Sequence, residues 1–300
     1  MICLNKALFL TRGNPVGIAA LLPRLNPSTS SYTAVLEPPD GGKSYFSQVL
    51  HQPGSRSAHF SFFAPDFQFE EKDFSALIDF LCFQAGEMGA LNVLAEIEES
   101  HELFEMLRQS GFSVFSWESI WKLPENKNAT QQRSTWQIPS PMDENTVRTL
   151  FQTLVPPLVQ NAEPFTNGDS PRLVYKKDND ILAYVESING SEGIYLIPVI
   201  HPSVEDIDLL LEELVRQFSG LGKPVFLQVR SYQAWLSDSL LNIEAEPSPR
   251  FALLVKHLAA LQTGKVLNLQ HLRNDSRQTE PTAPILQHYA ENKPSTEISK

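Results

Sequence analysis

Apolar residues along this chain follow two periods, one near 3.6 and one of 2, and the alternation between them predicts its elements. A short apolar run, Ala7 to Leu10, reads as a strand, followed by a helix through Ile18, Leu21, Leu22 and Leu25. Tyr32 to Leu36 and Tyr45 to Leu50 are β-rich and flank Asp40-Gly41-Gly42, which predicts a hairpin. A third strand, Ala58 to Ala64, precedes a helix with Phe74, Leu77, Ile78 and Leu81 on one face. Then come a strand from Leu91 to Ile97, a helix from His101 to Gln109 and a strand pair ending near Leu123.

The second half repeats this order. Thr135 to Ile138 reads as a strand, and a helix begins at Asp143 and is ended by Pro156 and Pro157. Strands follow at Arg172 to Tyr175, Ile181 to Ser187 and Ile194 to His201, then a helix from Val204 to Leu221. Strand PVFLQVR, helix QAWLSDSLL and strand FALLVKHL complete the set. Corresponding positions lie a near-constant distance apart, as Phe74 and Ile207 do, so the chain reads as one domain written twice. The segment PENKNATQQRS lacks large apolar residues and reads as a linker, and the composition beyond Gly264 predicts a disordered tail. The expected division is 1–124, a linker at 125–134, 135–260 and a tail at 261–300.

Composition narrows the function classes. The 300 residues carry 24 basic and 35 acidic side chains, a net charge of −11, which disfavours nucleic acid and anionic membranes as partners. The two cysteines, Cys3 and Cys82, form no CxxC and fit a reducing, cytoplasmic setting. No stretch is long and apolar enough to predict a membrane span, and Pro15 and Pro23 interrupt the N-terminal apolar run that a signal peptide would need. The partner expected is therefore a protein or a small molecule.

HELFEMLRQSGFSVF, from His101 to Phe115, resembles the last helix, glycine-phenylalanine turn and following strand of the GNAT superfamily of acyl-coenzyme A dependent N-acetyltransferases. LNVLAEIEE stands where that family places the strand that splays from its neighbour to admit the cofactor. The resemblance covers both halves at the level of elements. It implies an α/β (α+β) fold of tandem N-acetyltransferase-like domains, each a mixed, mostly antiparallel sheet flanked by helices. It also puts a bulge and a splay in the strand that carries Pro198, a residue confined within sheets to edges and bulges.

The chemistry of that family is missing at several places. Its pyrophosphate loop needs glycines that let backbone N–H groups approach an anion at a helix start. The equivalent stretches here, APDFQFEEKDFSALI and IHPSVEDIDLLLEEL, contain no glycine. Glu70, Glu71 and Asp73 crowd one helix start and Glu205, Asp206 and Asp208 the other, with Ser203 and Asp206 spaced as a capping box. The family's general acid, usually a tyrosine four residues before the turn glycine, falls on Leu107, and the second half shows no such turn near Asn242-Ile243-Glu244.

The expectation is thus a degraded acyl-coenzyme A site in both halves, with no cofactor and action by binding. The alternative is an N-acyltransferase active in one half, with Val199, Ile200 and Val225 holding acetyl-coenzyme A and His201, Tyr232 or His59 as catalytic candidates. His59 and His201 are placed on corresponding strands. The seven histidines lack the spacing of helical metal ligands, so no metal is expected. EPPDGGKS, Glu37 to Ser44, lacks the first glycine of a P-loop and reads as a turn, and the acids from Glu96 to Glu105 read as a solvated helix entrance.

Overall fold

A computed structural model describes residues 1–14, 30–37, 44–65, 71–125, 135–165, 170–178, 180–218 and 220–258, all within one unit, Met1–Ala260. The helix expected around Ile18, the turn at residues 40–42, residues 126–134 of the expected linker and the tail lie outside the described residues.

The first half contributes β1 (Ile2–Cys3), α1 (Lys6–Arg12), β2 (Ser30–Leu36), β3 (Tyr45–His51), β4 (Ser57–Ala64), α2 (Glu71–Glu87), β5 (Asn92–Glu98), α3 (Leu103–Gln109) and β6 (Ser113–Lys122). The second contributes β7 (Trp136–Gln137), α4 (Glu144–Leu154), α5 (Pro157–Ala162), β8 (Arg172–Lys177), β9 (Asp180–Asn189), β10 (Ile194–Ile200), α6 (Ile207–Phe218), β11 (Val225–Arg230), α7 (Ser237–Asn242) and β12 (Glu246–His257). All the strands join one sheet, ordered β2-β3-β4-β5-β12-β6-β11-β10-β9-β8-β7, with β1 paired to β4.

The sheet explains the repeat. In each half, antiparallel strands lead through a helix to a parallel partner, β4 with β5 and β10 with β11. The last strands are exchanged: β12 from the second half lies between β5 and β6, while β6 from the first pairs with β11. Period-2 alternation then sends side chains to two faces. On one face, Phe74, Leu77, Ile78 and Leu81 of α2 and Leu103 and Leu107 of α3 pack with Ala252 and Leu254 of β12. On the same face, Leu210, Leu211 and Leu214 of α6 pack with Leu196, Leu227 and Trp121. The opposite face of the second half carries α4 and α5, through Val147, Leu150 and Val159 packed on Val174, Tyr184 and Val199.

Four local expectations are corrected. Ala7 to Leu10 is helical: Asn5 caps α1, its Oδ1 accepting from Leu8 N at 2.9 Å, and so short an apolar run fits either period. The strand pair ending near Leu123 is the single ten-residue strand β6. Pro157 does more than end α4, since it opens α5 at a position where the missing N–H is unneeded. The turn thought absent from the second half is present. Phe112 N donates to Leu107 O at 3.1 Å after Gly111 (φ 87°), and Ala245 N donates to Leu240 O at 2.9 Å after Glu244 (φ 62°). Glutamate replaces glycine in the left-handed region, which hid the match.

α1 lies against the β9–β10 turn, where Glu192 N donates to Thr11 O at 2.9 Å. Glycine is required there, because a Cβ on Gly190 or Gly193 would lie 1.9 Å from Thr11 O or 2.5 Å from Leu10 O.

Candidate functional site

Both parallel pairs splay. β4 and β5 are in register only over Ser57–Asn92, Ala58–Val93 and His59–Leu94, and β10 and β11 only over Ile194–Val225, Tyr195–Phe226 and Leu196–Leu227. Beyond those points each pair opens.

The chain's own N-terminal segment fills the first splay. β1 runs antiparallel to β4, placing Ile2 opposite Phe63, and Leu4 bridges the gap. Leu4 N donates to Ser61 O on β4 at 3.0 Å, and its carbonyl accepts from Glu96 N on β5 at 3.0 Å. Leu4 is 1% exposed. Backbone groups that diverging strands would present to a ligand are thereby consumed.

In the second splay the edge itself is altered. Ile194 N donates to Pro224 O, beside β11, and His201 N donates to Leu182 O, on the β9 side. By alternation, Ile194, Leu196, Pro198 and Ile200 direct their backbone toward β11. Pro198 is the first of these beyond the register and has no N–H to offer. On the α6 face, Ile200, Val204, Val229 and Leu236 are buried in one cluster.

At the start of α6, Asp206 Oδ1 accepts from Leu209 N at 3.1 Å. Ser203 does not complete the expected capping box, because its hydroxyl lies 2.6 Å from His201 Nδ1. Glu205 pairs with Lys177 at 2.8 Å, which holds its carboxyl below the usual range. At the start of α2, the stretch holding Glu70 lies outside the described residues.

On the sheet face opposite α6, a cavity of about 470 Å³ reaches from His59 and Glu96 in the first half to Val199, Gln228 and Arg230 in the second. Phe151, Val159 and Ile197 give it apolar walls. In its polar floor Glu118, Gln228 and Arg230 are buried and Glu96 and Glu163 half-buried. Arg230 Nε lies 3.3 Å from Glu118 Oε2, and its Nη2 donates to Glu163 Oε2 at 2.7 Å. Gln228 Nε2 donates to Glu118 Oε2 at 2.6 Å, and Lys6 N donates to Glu96 Oε2 at 2.6 Å. Burial, reinforced by the neighbouring Glu118, pushes the Glu96 carboxyl up to about 8. Burial raises Glu118 too, against the pull of Arg230.

The sequence candidates separate around this cavity. His59, Tyr232 and Val199 line it. Burial lowers the His59 imidazole and pushes the Tyr232 hydroxyl up to about 12. Ile200 turns to the α6 core, Val225 sits at the paired end of the splay, and His201 lies just past β10. His59 and His201 are not equivalent, since His59 occupies the third register position of its pair, as Leu196 does in the other half. Glu96, grouped with solvated acids from sequence, is instead a half-buried strand residue facing the cavity. Glu118, Glu163, Gln228 and Arg230 were not anticipated. Glu118 carried a signal, as the single acidic residue of β6, on the face it shares with Ser116 and Ile120.

Among the described residues no group of His, Cys, Asp or Glu could hold a metal ion, and no helix is long and apolar enough to cross a membrane. No known family profile matches the chain, and no curated protein matches it. Solved structures do. A GCN5-related N-acetyltransferase from Kribbella flavida matches 81% of this chain and 95% of its own at 12% identity and a TM-score of 0.49. One from Sphaerobacter thermophilus covers 75% and 80% at 13% identity and a TM-score of 0.48. A tandem GNAT protein from the clavulanic acid biosynthesis pathway covers 78% and 85% at 13% identity and a TM-score of 0.47. The fold is a mixed α/β sheet with two splayed parallel pairs flanked by helices, and these structures are what it is similar to. At these identities the likeness concerns the fold alone.

Proposed function

We propose that this is an N-acetyltransferase-fold protein whose acyl-coenzyme A sites are degraded and which acts by binding a small molecule in the cytoplasm. The observation that carries the reading is Leu4, whose N–H and C=O are hydrogen-bonded to both edges of the first splay. Pro198 supports it in the second splay by removing a backbone donor, and Asp206 supports it by capping the helix start that an anion would need. The general-acid position that the resemblance assigns to Leu107 corresponds to Leu240 in the second half, and both side chains are buried leucines without an ionisable proton.

The cavity beneath the second splay is the observation that favours a second reading, an N-acyltransferase using that half alone. Isothermal titration of the full chain with acetyl-coenzyme A separates them. The proposal expects no heat of binding up to millimolar cofactor, and saturable micromolar binding would establish the acyltransferase reading in its place.

A further inference from the structure

The N-terminal segment is held in the first splay unevenly. β1 pairs with β4 alone, Ile2 opposite Phe63 and Cys3 opposite Phe62, and the order of strands from β2 to β7 closes without it. On β5, Glu96 is the residue that meets the segment, at two points: its N–H donates to Leu4 O at 3.0 Å and its Oε2 accepts from Lys6 N at 2.6 Å. Past the last β4–β5 register pair, His59–Leu94, that edge of β5 carries no strand among the described residues, while its other edge is paired with β12 as far as Glu98.

The hydrogen bonds that seat the segment between the two strands all read peptide backbone. Ser61 O accepts from Leu4 N at 3.0 Å, Glu96 N donates to Leu4 O, and the Glu96 carboxyl takes the N–H two residues further on. Contacts of this kind accept an extended peptide of any sequence, and selection falls to alternate side chains. Ile2 and Leu4 are 7% and 1% exposed and pack in the cluster that holds Phe63, Phe74 and Ile97, so those positions call for aliphatic residues. An arriving carboxylate or phosphate would face the Glu96 carboxyl, whereas a peptide N–H is what that carboxyl accepts.

The geometry points to the first splay as a recognition groove for an extended peptide with aliphatic residues at alternate positions, held shut in this chain by its own Ile2–Lys6 segment. A partner segment of that pattern enters by displacing the chain's own, adding its backbone to the inner edge of β4 and to Glu96 of β5. This goes beyond the small-molecule reading above and does not depend on it.

The test uses an N-acetylated, C-amidated peptide with the sequence of Met1–Lys6, titrated into the full chain by ligand-observed NMR under reducing conditions. In the parent the tethered segment competes at an effective concentration of about millimolar. Leu4→Asp in the chain unseats that segment and leaves β4 and β5 untouched, so this variant is expected to bind the peptide saturably and at least about tenfold more tightly than the parent does. The same peptide carrying Leu4→Asp is expected not to bind. Leu4→Ala in the chain, a gentler change with the same expected direction, keeps the test decisive should Leu4→Asp unfold. No binding by either chain variant at about 1 mM peptide, equal binding by the parent, or equal binding of the aspartate peptide would each overturn the assignment. Acetyl-coenzyme A binding by the parent chain would overturn the degraded-site reading alone, so the two failures are distinguishable.

Discussion

Glu96 shows at the scale of one residue how burial rewrites chemistry. Its folded-state carboxyl titrates near 8 against an ordinary 4.5, so the native state holds a proton that the unfolded chain has released. The native state binds the more protons between those values, so this group subtracts stability progressively as pH rises from about 4.5 to about 8. Glu96→Gln, which keeps an acceptor for Lys6 N, is expected to flatten that fall and to raise the melting temperature at pH 8.5 relative to the parent. A parallel fall in both proteins would show that Glu96 is not the group responsible. Cys3 and Cys82 are also governed by burial, which pushes their thiols up to about 11 and about 12. Alkylation by iodoacetamide at pH 8 is expected to be slow in the native protein and to become rapid in denaturant. Glu244, at φ 62°, occupies a backbone region that disfavours side chains, so Glu244→Gly is expected to stabilise by about 1 kcal/mol in urea titration.

Elements were legible where period and length agreed. α2, α6 and strands such as β3, β4, β5, β9 and β10 follow directly from apolar spacing, because each buries one face in the core. α1 was not legible: four apolar residues in a row carry no period, and only the Asn5 cap and docking against Gly190 and Gly193 decide its form. The repeated turn was hidden for a related reason, since backbone geometry persists at Glu244 while the residue that advertises it is gone. Gly193→Ala would press a Cβ against Leu10 O, and undocking α1 is expected to cost about 2–3 kcal/mol in chemical denaturation. An unchanged midpoint would mean that α1 docks loosely.

For the whole molecule, the exchange of β6 and β12 is what sequence could not supply. Period 2 tells which face of a strand is buried but not which strand lies beside it, and the two last strands fit either half by pattern. Because β12 completes the first half and β6 the second, Met1–Ala260 is expected to unfold in one calorimetric transition, with matching calorimetric and van't Hoff enthalpies. Two resolved transitions would contradict that coupling. Leu254→Ala, on β12 but packed against α2 and α3, is expected to lower the whole transition by about 2–5 kcal/mol. The candidate site escaped sequence reading for the same reason, since Glu96, Glu118, Glu163 and Arg230 come from four separate elements that only the exchanged sheet brings together.

The account turns on whether either opening between parallel strands can admit a coenzyme. Amide hydrogen exchange of the full chain, with and without millimolar acetyl-coenzyme A, reads both at once. Leu4 and Glu96 amides are expected to be protected from the outset, and neither they nor the Pro198–Ile200 and Gln228–Arg230 segments should change when the cofactor is added. Rapid exchange at Leu4, or protection gained at either splay on adding acetyl-coenzyme A, would contradict it.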